Sequence, residues 1–167
     1  ERWNHISHIL QLAVKSGNVD LHVTGIENIP APGSGFMMYA NHQGKYDSLG
    51  IISVHQKPCT VLMDEQRSHL ILADQFVTLL QGCRIDKTNI KSQVKAILHI
   101  TDEVKDGRRY IIFPEGGYHN NQNNVDSFSP GSFKCAMKAH SPIVPVALVD
   151  SYKPFGVNSL RPVTTQV

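Results

Sequence analysis

Phe36-Met37-Met38-Tyr39-Ala40-Asn41-His42-Gln43-Gly44-Lys45-Tyr46-Asp47-Ser48-Leu49-Gly50-Ile51-Ile52-Ser53-Val54 joins two apolar runs through a polar turn. Its first five residues form an apolar run with the length of a buried strand. Ser48 to Val54 reads as the start of a helix, with a polar turn between the two. Side chains on such a strand-to-helix turn project from a rigid frame into solvent or a cleft. His42 stands on it. An imidazole titrates near neutrality, so it can take a proton from a hydroxyl and hand it on. Asp47, at the mouth of the helix, can fold back to accept from the other ring nitrogen. That bond fixes the tautomer and stabilises the imidazolium, the roles of base and orienter in a catalytic dyad. A helix N-terminus also suits a carboxylate, and an ordinary N-cap is the competing account of Asp47.

The flanking segments alternate between the same two element types. Trp3 to Val14 carries apolar residues at helical spacing and is stopped by Gly17-Asn18, and Asp20 to Gly25 alternates like a strand. Thr60 to Met63 reads as a short buried strand. Ser68 to Leu80 reads as one apolar helix ended by Gly82, more core than acyl tunnel, and Cys83 to Asp86 as a strand. Asn89 to Val104 is the cleanest amphipathic helix, with Asp106-Gly107 ending it. Arg109 to Phe113 is a buried strand running into Pro114-Glu115-Gly116-Gly117. The polar, Asn-rich Tyr118–Ser129 stretch is a functional or mobile loop. Gly131 to His140 reads as a helix and Ile143 to Val149 as a central strand, with Pro145 marking a bulge or irregular edge. Val163 to Val167 alternates again. No internal repeat or linker interrupts the series, so the pattern predicts an α/β fold over residues 1–167: one domain with a mixed, largely parallel sheet flanked by helices.

Totals narrow the function classes. The 167 residues suffice for one domain with a real core. A hydrophobic share of 41% and a charged share of 18% describe a globular chain. The net charge of +2 gives no argument for nucleic acid. Cys59, Cys83 and Cys135 lie far apart without paired spacing, so neither a zinc site nor a disulfide framework is expected. No His/Cys/Asp cluster has metal-ligand spacing, and no cofactor is expected. No apolar stretch approaches the ~20 residues that span a bilayer. Since the chain opens at Glu1 and closes within a strand-like run, it is expected to be a portion of a longer protein.

Two strand ends carry candidate chemistry, Asn41-His42 and Pro114-Glu115-Gly116-Gly117. Ligands of open α/β sheets bind beyond the carboxyl ends of the strands, so one cleft can serve both. Four blocks stand in order: Asn41-His42-x-x-x-x-Asp47; Gly82-x-x-Ile85-Asp86-Lys87; Phe113-Pro114-Glu115-Gly116; and Pro142-Ile143-Val144-Pro145-Val146. Together, and with Gly131-Ser132-Phe133-Lys134, they resemble the glycerolipid acyltransferase family. The bacterial type of that family is 1-acylglycerol-3-phosphate acyltransferase. The resemblance covers the chain from about Gly25 onward.

The resemblance implies transfer of an acyl group from a thioester of coenzyme A or acyl carrier protein to the hydroxyl of lysophosphatidic acid. His42 would be the general base and Asp47 its charge partner, without a covalent acyl-enzyme. In agreement, the chain has no Gly-x-Ser-x-Gly turn and no Cys-His signal for a nucleophile. Glu115, Gly116 and Gly117 correspond to the block on the acceptor's phosphate side. That block usually continues Thr-Arg or Ser-Arg, where this chain has Gly117 and Tyr118. Lys87, with Arg84, is then the expected phosphate contact, and Lys134 a remoter one. Lys keeps the charge but lacks the planar fork of Arg. Glu115 has two readings, contact with substrate or structural bonds to backbone amides, and Arg84 and Lys87 have the alternative of being solvated charges. His119 and His140 are expected at the surface.

A lipid substrate implies a membrane surface as partner, since each methylene prefers burial by ~0.8 kcal/mol. The expected place is the cytoplasmic face, peripheral or held by a segment outside this chain. Trp3, Ile6, Ile9 and Leu10 would form an interfacial helix, or else pack on the sheet. Other acceptors such as glycerol-3-phosphate, a thioesterase-type hydrolase using the same dyad on water, and a non-catalytic lipid- or carrier-binding module are the alternatives.

Overall fold

A computed structural model describes residues 2–55, 57–70, 72–154 and 163–167. The chain runs α1 (Arg2–Ser16), β1 (Val19–His22), β2 (Phe36–Ala40), α2 (Asp47–Val54), β3 (Thr60–Asp64), α3 (Glu65–Ser68) and α4 (Ala73–Leu79). It continues with β4 (Cys83–Ile85), α5 (Ile90–Lys105), β5 (Arg109–Ile112), α6 (Lys134–Ala139), β6 (Ile143–Val146) and β7 (Val163–Gln166). Five strands form one sheet in the order β4-β3-β5-β2-β6, and every pairing in it is parallel. The α/β fold expected from the alternation is the fold found.

All five residues of β2 are buried, because helices cover both faces of the sheet. The strand's alternation sorts them. Phe36, Met38 and Ala40 join Ile6 and Leu10 of α1, Ile51 and Ile52 of α2 and Val77 of α4 on one face. Met37 and Tyr39 join Ala96, Ile100 and Val104 of α5 and Cys135 and Ala136 of α6 on the other. β5 follows suit, with Ile111 on the first face and Tyr110 and Ile112 on the second. Gly35 lets β2 begin hard against the end of α5: a Cβ there would lie 1.9 Å from the Val104 carbonyl oxygen.

Several elements depart from the sequence expectations. The Ser68–Leu80 helix is broken: α3 ends at Ser68 and α4 starts at Ala73, after Leu72 with φ 71°. Leu70, Leu72 and Leu79 are exposed, while Val77 and Leu80 are buried in the core and Phe76 packs against it, since consecutive apolar side chains point around most of a helical turn; Ile71 lies outside the described residues. The segment before α6 opens as a 3-10 turn over Pro130–Phe133. β6 is not central but a four-residue edge strand, where Pro145 withholds no needed donor. The last strand is real, yet it pairs with β1 in a separate two-stranded parallel sheet.

α1 settles its two readings by burial. Ile6 and Leu10 are buried and Trp3 packs against the same core, while Ile9 and Leu12 face out. Cys59, Cys83 and Cys135 are all free and buried. No helix among the described residues is long and apolar enough to cross a membrane.

Candidate active site

The turn after β2 is built around Asp47. This residue is fully buried, and its carboxylate faces back over the turn. Oδ2 accepts from the backbone N–H groups of Gln43 at 2.6 Å and Gly44 at 2.9 Å, and from His42 Nδ1 at 2.6 Å. Oδ1 accepts from the Ser151 hydroxyl. The N-cap position of α2 is Tyr46, which makes no side-chain cap bond. Asp47 is therefore no ordinary cap: it closes the loop that carries His42.

Neighbouring side chains fix the turn to two other strand ends. The Asn41 amide donates to the Leu148 carbonyl at 2.9 Å and accepts from its N–H at 2.7 Å. Gln43 donates to Leu148 O at 2.8 Å and to Asn123 Oδ1 at 2.9 Å, and accepts from the Ser151 N–H at 2.8 Å. Glu115 accepts from the His42 N–H at 2.6 Å through one oxygen and from the Asp126 N–H at 2.8 Å through the other. Its structural reading thus has two bonds behind it. The Tyr118–Ser129 loop is consequently pinned, through Asn123, Asp126 and the Ser129 N–H on the Pro114 carbonyl.

The His42 ring stacks on Phe113, with centroids 4.1 Å apart and planes at 17°, and meets Tyr118 edge-on at 4.7 Å. With Nδ1 donating to the Asp47 carboxylate, Nε2 has no partner among the described residues and is the nitrogen that carries the lone pair of a neutral ring. The arrangement can therefore take a proton from a hydroxyl at Nε2 and return it. Three other nucleophile candidates are poor. Burial pushes the Tyr46 phenol up to about 12 and the Cys83 and Cys135 thiols up to about 11, so all three keep their protons at neutral pH. Ser151 is 1% exposed and faces a carboxylate, not an imidazole.

The remaining sequence candidates divide. Lys87 donates to the Gly116 carbonyl and lies 3.4 Å from Asp64 Oδ2, which puts it on the turn after β5. Gly116 has φ 74°, and a Cβ at Gly116 or Gly117 would meet nothing within 4 Å, so the space before these glycines is open. Arg84 is engaged elsewhere: its guanidinium bonds Ser68 at 3.0 Å, Asp74 at 2.9 Å and Thr78 at 3.1 Å. His119 is 83% exposed, and His140 ends α6 with φ 49°. Lys134 begins α6. Among the described residues no three His, Cys, Asp or Glu side chains are grouped to hold a metal ion. Sequence reading gave no role to Gln43, Phe113 or Tyr118, and did not reach Ser151 or Arg67, whose guanidinium lies over the Tyr118 ring at 5.4 Å from its centroid. Contacts across such separations leave no spacing signal.

A family model described as acyltransferase matches residues 20–149, from β1 through β6 to the Leu148 that Asn41 and Gln43 hold. The chain belongs to the acyltransferase family. Relatives include the 1-acyl-sn-glycerol-3-phosphate acyltransferase of Borreliella burgdorferi, 25% identical over 142 residues covering 85% of this chain and 56% of that protein. One from Chlamydomonas reinhardtii is 27% identical over 143 residues, covering 84% and 42%, and that of Saccharomyces cerevisiae is 24% identical over 143 residues, covering 84% and 46%. Such family members occur in bacteria, an alga and a yeast, so they assign no bacterial origin. The chain spans about half the length of the curated relatives it matches. The crystal structure of the 1-acyl-sn-glycerophosphate (LPA) acyltransferase PlsC from Thermotoga maritima aligns with a TM-score of 0.77 at 24% identity, over 98% of this chain and 65% of that one. At that identity the likeness speaks for the fold.

Proposed function

We propose that this acyltransferase domain moves a fatty acyl group from an acyl thioester, of coenzyme A or acyl carrier protein, to the hydroxyl of lysophosphatidic acid, giving phosphatidic acid. One observation carries the reading: an imidazole with Nδ1 held by a buried carboxylate, on a backbone tied to Glu115, next to the open space at Gly116 and Gly117. The names of the relatives support the acceptor.

His42 Nε2 takes the proton of the acceptor hydroxyl as its oxygen attacks the thioester carbonyl carbon. The tetrahedral intermediate collapses by breaking the C–S bond, and the departing thiolate receives that proton from Nε2. Asp47 holds the ring and offsets the positive charge that forms between the two transfers. No acyl-enzyme arises. Gly116 and Gly117 admit the acceptor to the turn, where the N–H groups of Gly117 and Tyr118 have no partner among the described residues, and Lys87 supplies a positive charge. Glu115 acts by holding the His42 backbone. Arg84, committed to Asp74, is a support for α4 and not a phosphate contact.

Mixed micelles of lysophosphatidic acid with a long-chain acyl thioester test this, following thiol release and lipid products together. Phosphatidic acid made by the native protein and lost in His42→Ala is the expected result. Thiol release with only free fatty acid would replace the reading by a hydrolase, and product from glycerol-3-phosphate alone would move the acceptor. A lipid substrate calls for membrane contact, which we place at the cytoplasmic face, and the exposed Ile9 and Leu12 of α1 are among the apolar residues available to it. Flotation with anionic liposomes should carry the full protein; a protein that stays at the bottom argues against it.

A further inference from the structure

The turn after β5 gathers positive charge that its own residues do not provide. Gly116, Gly117 and Tyr118 include no cation, yet two reach them from other elements. Lys87, from the loop after β4, donates to the Gly116 carbonyl. Arg67, from α3, lays its guanidinium on the Tyr118 ring, 5.4 Å from the centroid. The same ring meets His42 edge-on, with centroids 4.7 Å apart. One aromatic side chain therefore separates the Arg67 cation from the imidazole.

Among the described residues, Arg67 differs from the other cations of this face in having no carboxylate partner. Asp64 uses Oδ1 on the backbone N–H of Arg67 at 3.2 Å and faces Lys87 with Oδ2 at 3.4 Å. Asp74 pairs with Arg84 at 2.9 Å and lies 3.8 Å from His69, whose other nitrogen is 3.1 Å from Glu65. Glu115 commits both oxygens to backbone amides. Among the described residues no carboxylate oxygen stands within 4.0 Å of the Arg67 guanidinium. Its side chain is exposed, and its five N–H donors, in a fixed planar fork, are available to a ligand.

We propose that Arg67, steadied on the Tyr118 ring, binds the phosphate monoester of the acceptor and so determines acceptor specificity, an inference that rests on the reading of His42 as the base for a lysophosphatidate hydroxyl. In that acceptor the phosphate lies only a few bonds from the hydroxyl that reacts. The group that grips it must stand within a side-chain length of Nε2, and Arg67 does so across a single ring. Lys87, already shared between Asp64 and Gly116, adds a point charge. The guanidinium adds a bidentate fit to phosphate oxygens, which a neutral headgroup cannot satisfy. Open space in front of Gly116 and Gly117 leaves room for the anion between the two cations and the amides of Gly117 and Tyr118.

Direct binding keeps this inference separable from the reaction. Hexanoyl lysophosphatidate below its micelle concentration, and the matching neutral monohexanoylglycerol, would be titrated calorimetrically into the full protein and into Arg67→Met and Arg67→Lys. The expected result is a Kd for the phosphate ligand raised about ten- to a hundredfold by Arg67→Met, with partial recovery in Arg67→Lys and no change for the neutral ligand. In the transfer assay the same loss should fall on KM for lysophosphatidate and leave kcat near native. Equal Kd values for native and Arg67→Met, including no binding by either, would overturn the role of Arg67. Tight phosphate binding that depends on Arg67 without any acyl transfer would uphold it and remove the proposed reaction. Acyl transfer with an unchanged KM in Arg67→Met would do the reverse.

Discussion

Replacing Asp47 by Asn separates the charge of the dyad from its geometry. The carboxylate accepts four hydrogen bonds, three on Oδ2 from His42, Gln43 and Gly44 and one on Oδ1 from Ser151. Asparagine fits in one orientation only. Its oxygen must take the place of Oδ2, because an NH2 there would face three donors. The NH2 then faces Ser151 Oγ, whose proton turns to Gln43 Oε1 at 3.2 Å. Tautomer and ring position survive, and the loss is the negative charge. At the 2.6 Å separation and an effective dielectric of ~20, its attraction for an imidazolium is about 6 kcal/mol. The amide dipole restores part of that, so kcat should fall by about 10²–10⁴-fold, with KM changed little. Initial rates of thiol release and lipid product, taken beside His42→Ala and the double variant, check it. The three should fall to a similar level, since residues acting as a unit are not additive. An Asp47→Asn protein that is folded by circular dichroism and within about fivefold of native kcat would refute the reasoning, leaving Asp47 a fastener of the Gln43–Gly44 turn.

Three further outcomes follow from other contacts. Ser151→Ala leaves one oxygen of a fully buried carboxylate without its donor, so unfolding free energy should fall by about 1.5–3 kcal/mol, read from urea denaturation; a loss near zero would show the hydroxyl to be idle. Gly35→Ala would drive a Cβ into the Val104 carbonyl, and the cost should exceed about 3 kcal/mol or abolish folding, as soluble yield and denaturation would reveal. His55 is buried, and burial holds its pKa below the ordinary 6.5, outweighing the Lys57 carbonyl contact, while nearby Arg109 lowers it further. Below about pH 6.5 the unfolded chain then binds a proton that the folded chain does not, so stability should fall as pH drops, at no more than about 1.4 kcal/mol per pH unit for this one group. Comparing urea midpoints at pH 7.5 and 5.5, for the native protein and His55→Gln, measures it; identical slopes would exclude His55.

How far the sequence could be read depended on the range of each contact. β2 was legible because five consecutive apolar residues, buried on both faces, need a parallel sheet between helices. The His42–Asp47 contact was legible because both groups lie in one short turn. Ser68–Leu80 misled for the converse reason. Apolar content there is high, but the residues are distributed around the chain rather than on one face, and the helix gives way at Leu72. The length of an apolar run does not tell a central strand from an edge one, so β6 was misplaced even though Pro145 pointed to an edge. Gln43, Ser151 and Arg67 act through partners 105, 104 and 51 positions away, and only the folded topology brings those pairs together.

The two sides of the cleft are attached differently, and this bears on what can change. The dyad side is tied by buried side chains to three segments: Asn41 and Gln43 to Leu148, Ser151 to Asp47, and Glu115 to the His42 backbone. Each of these bonds has its partner in a buried or half-buried setting, where leaving a donor or acceptor unpaired costs about 1–3 kcal/mol. Substitution on that side therefore disturbs base, turn and loop together. The cation side rests on a four-residue helix, a loop lysine and an aromatic ring, with Arg67 and Lys87 largely exposed. Exchanging Arg67 or Tyr118 removes no buried bond. Proton transfer and acceptor grip thus meet at the Tyr118 ring but rest on different hydrogen bonds, so the cation can come from Arg67 where the family's usual pattern has an Arg in the turn, while the bonds that fix His42 and Asp47 stay as they are. Acceptor preference should accordingly be convertible by changes at Arg67, which touches the His42 ring only through Tyr118, that leave the slope of kcat against pH as it is in the native protein.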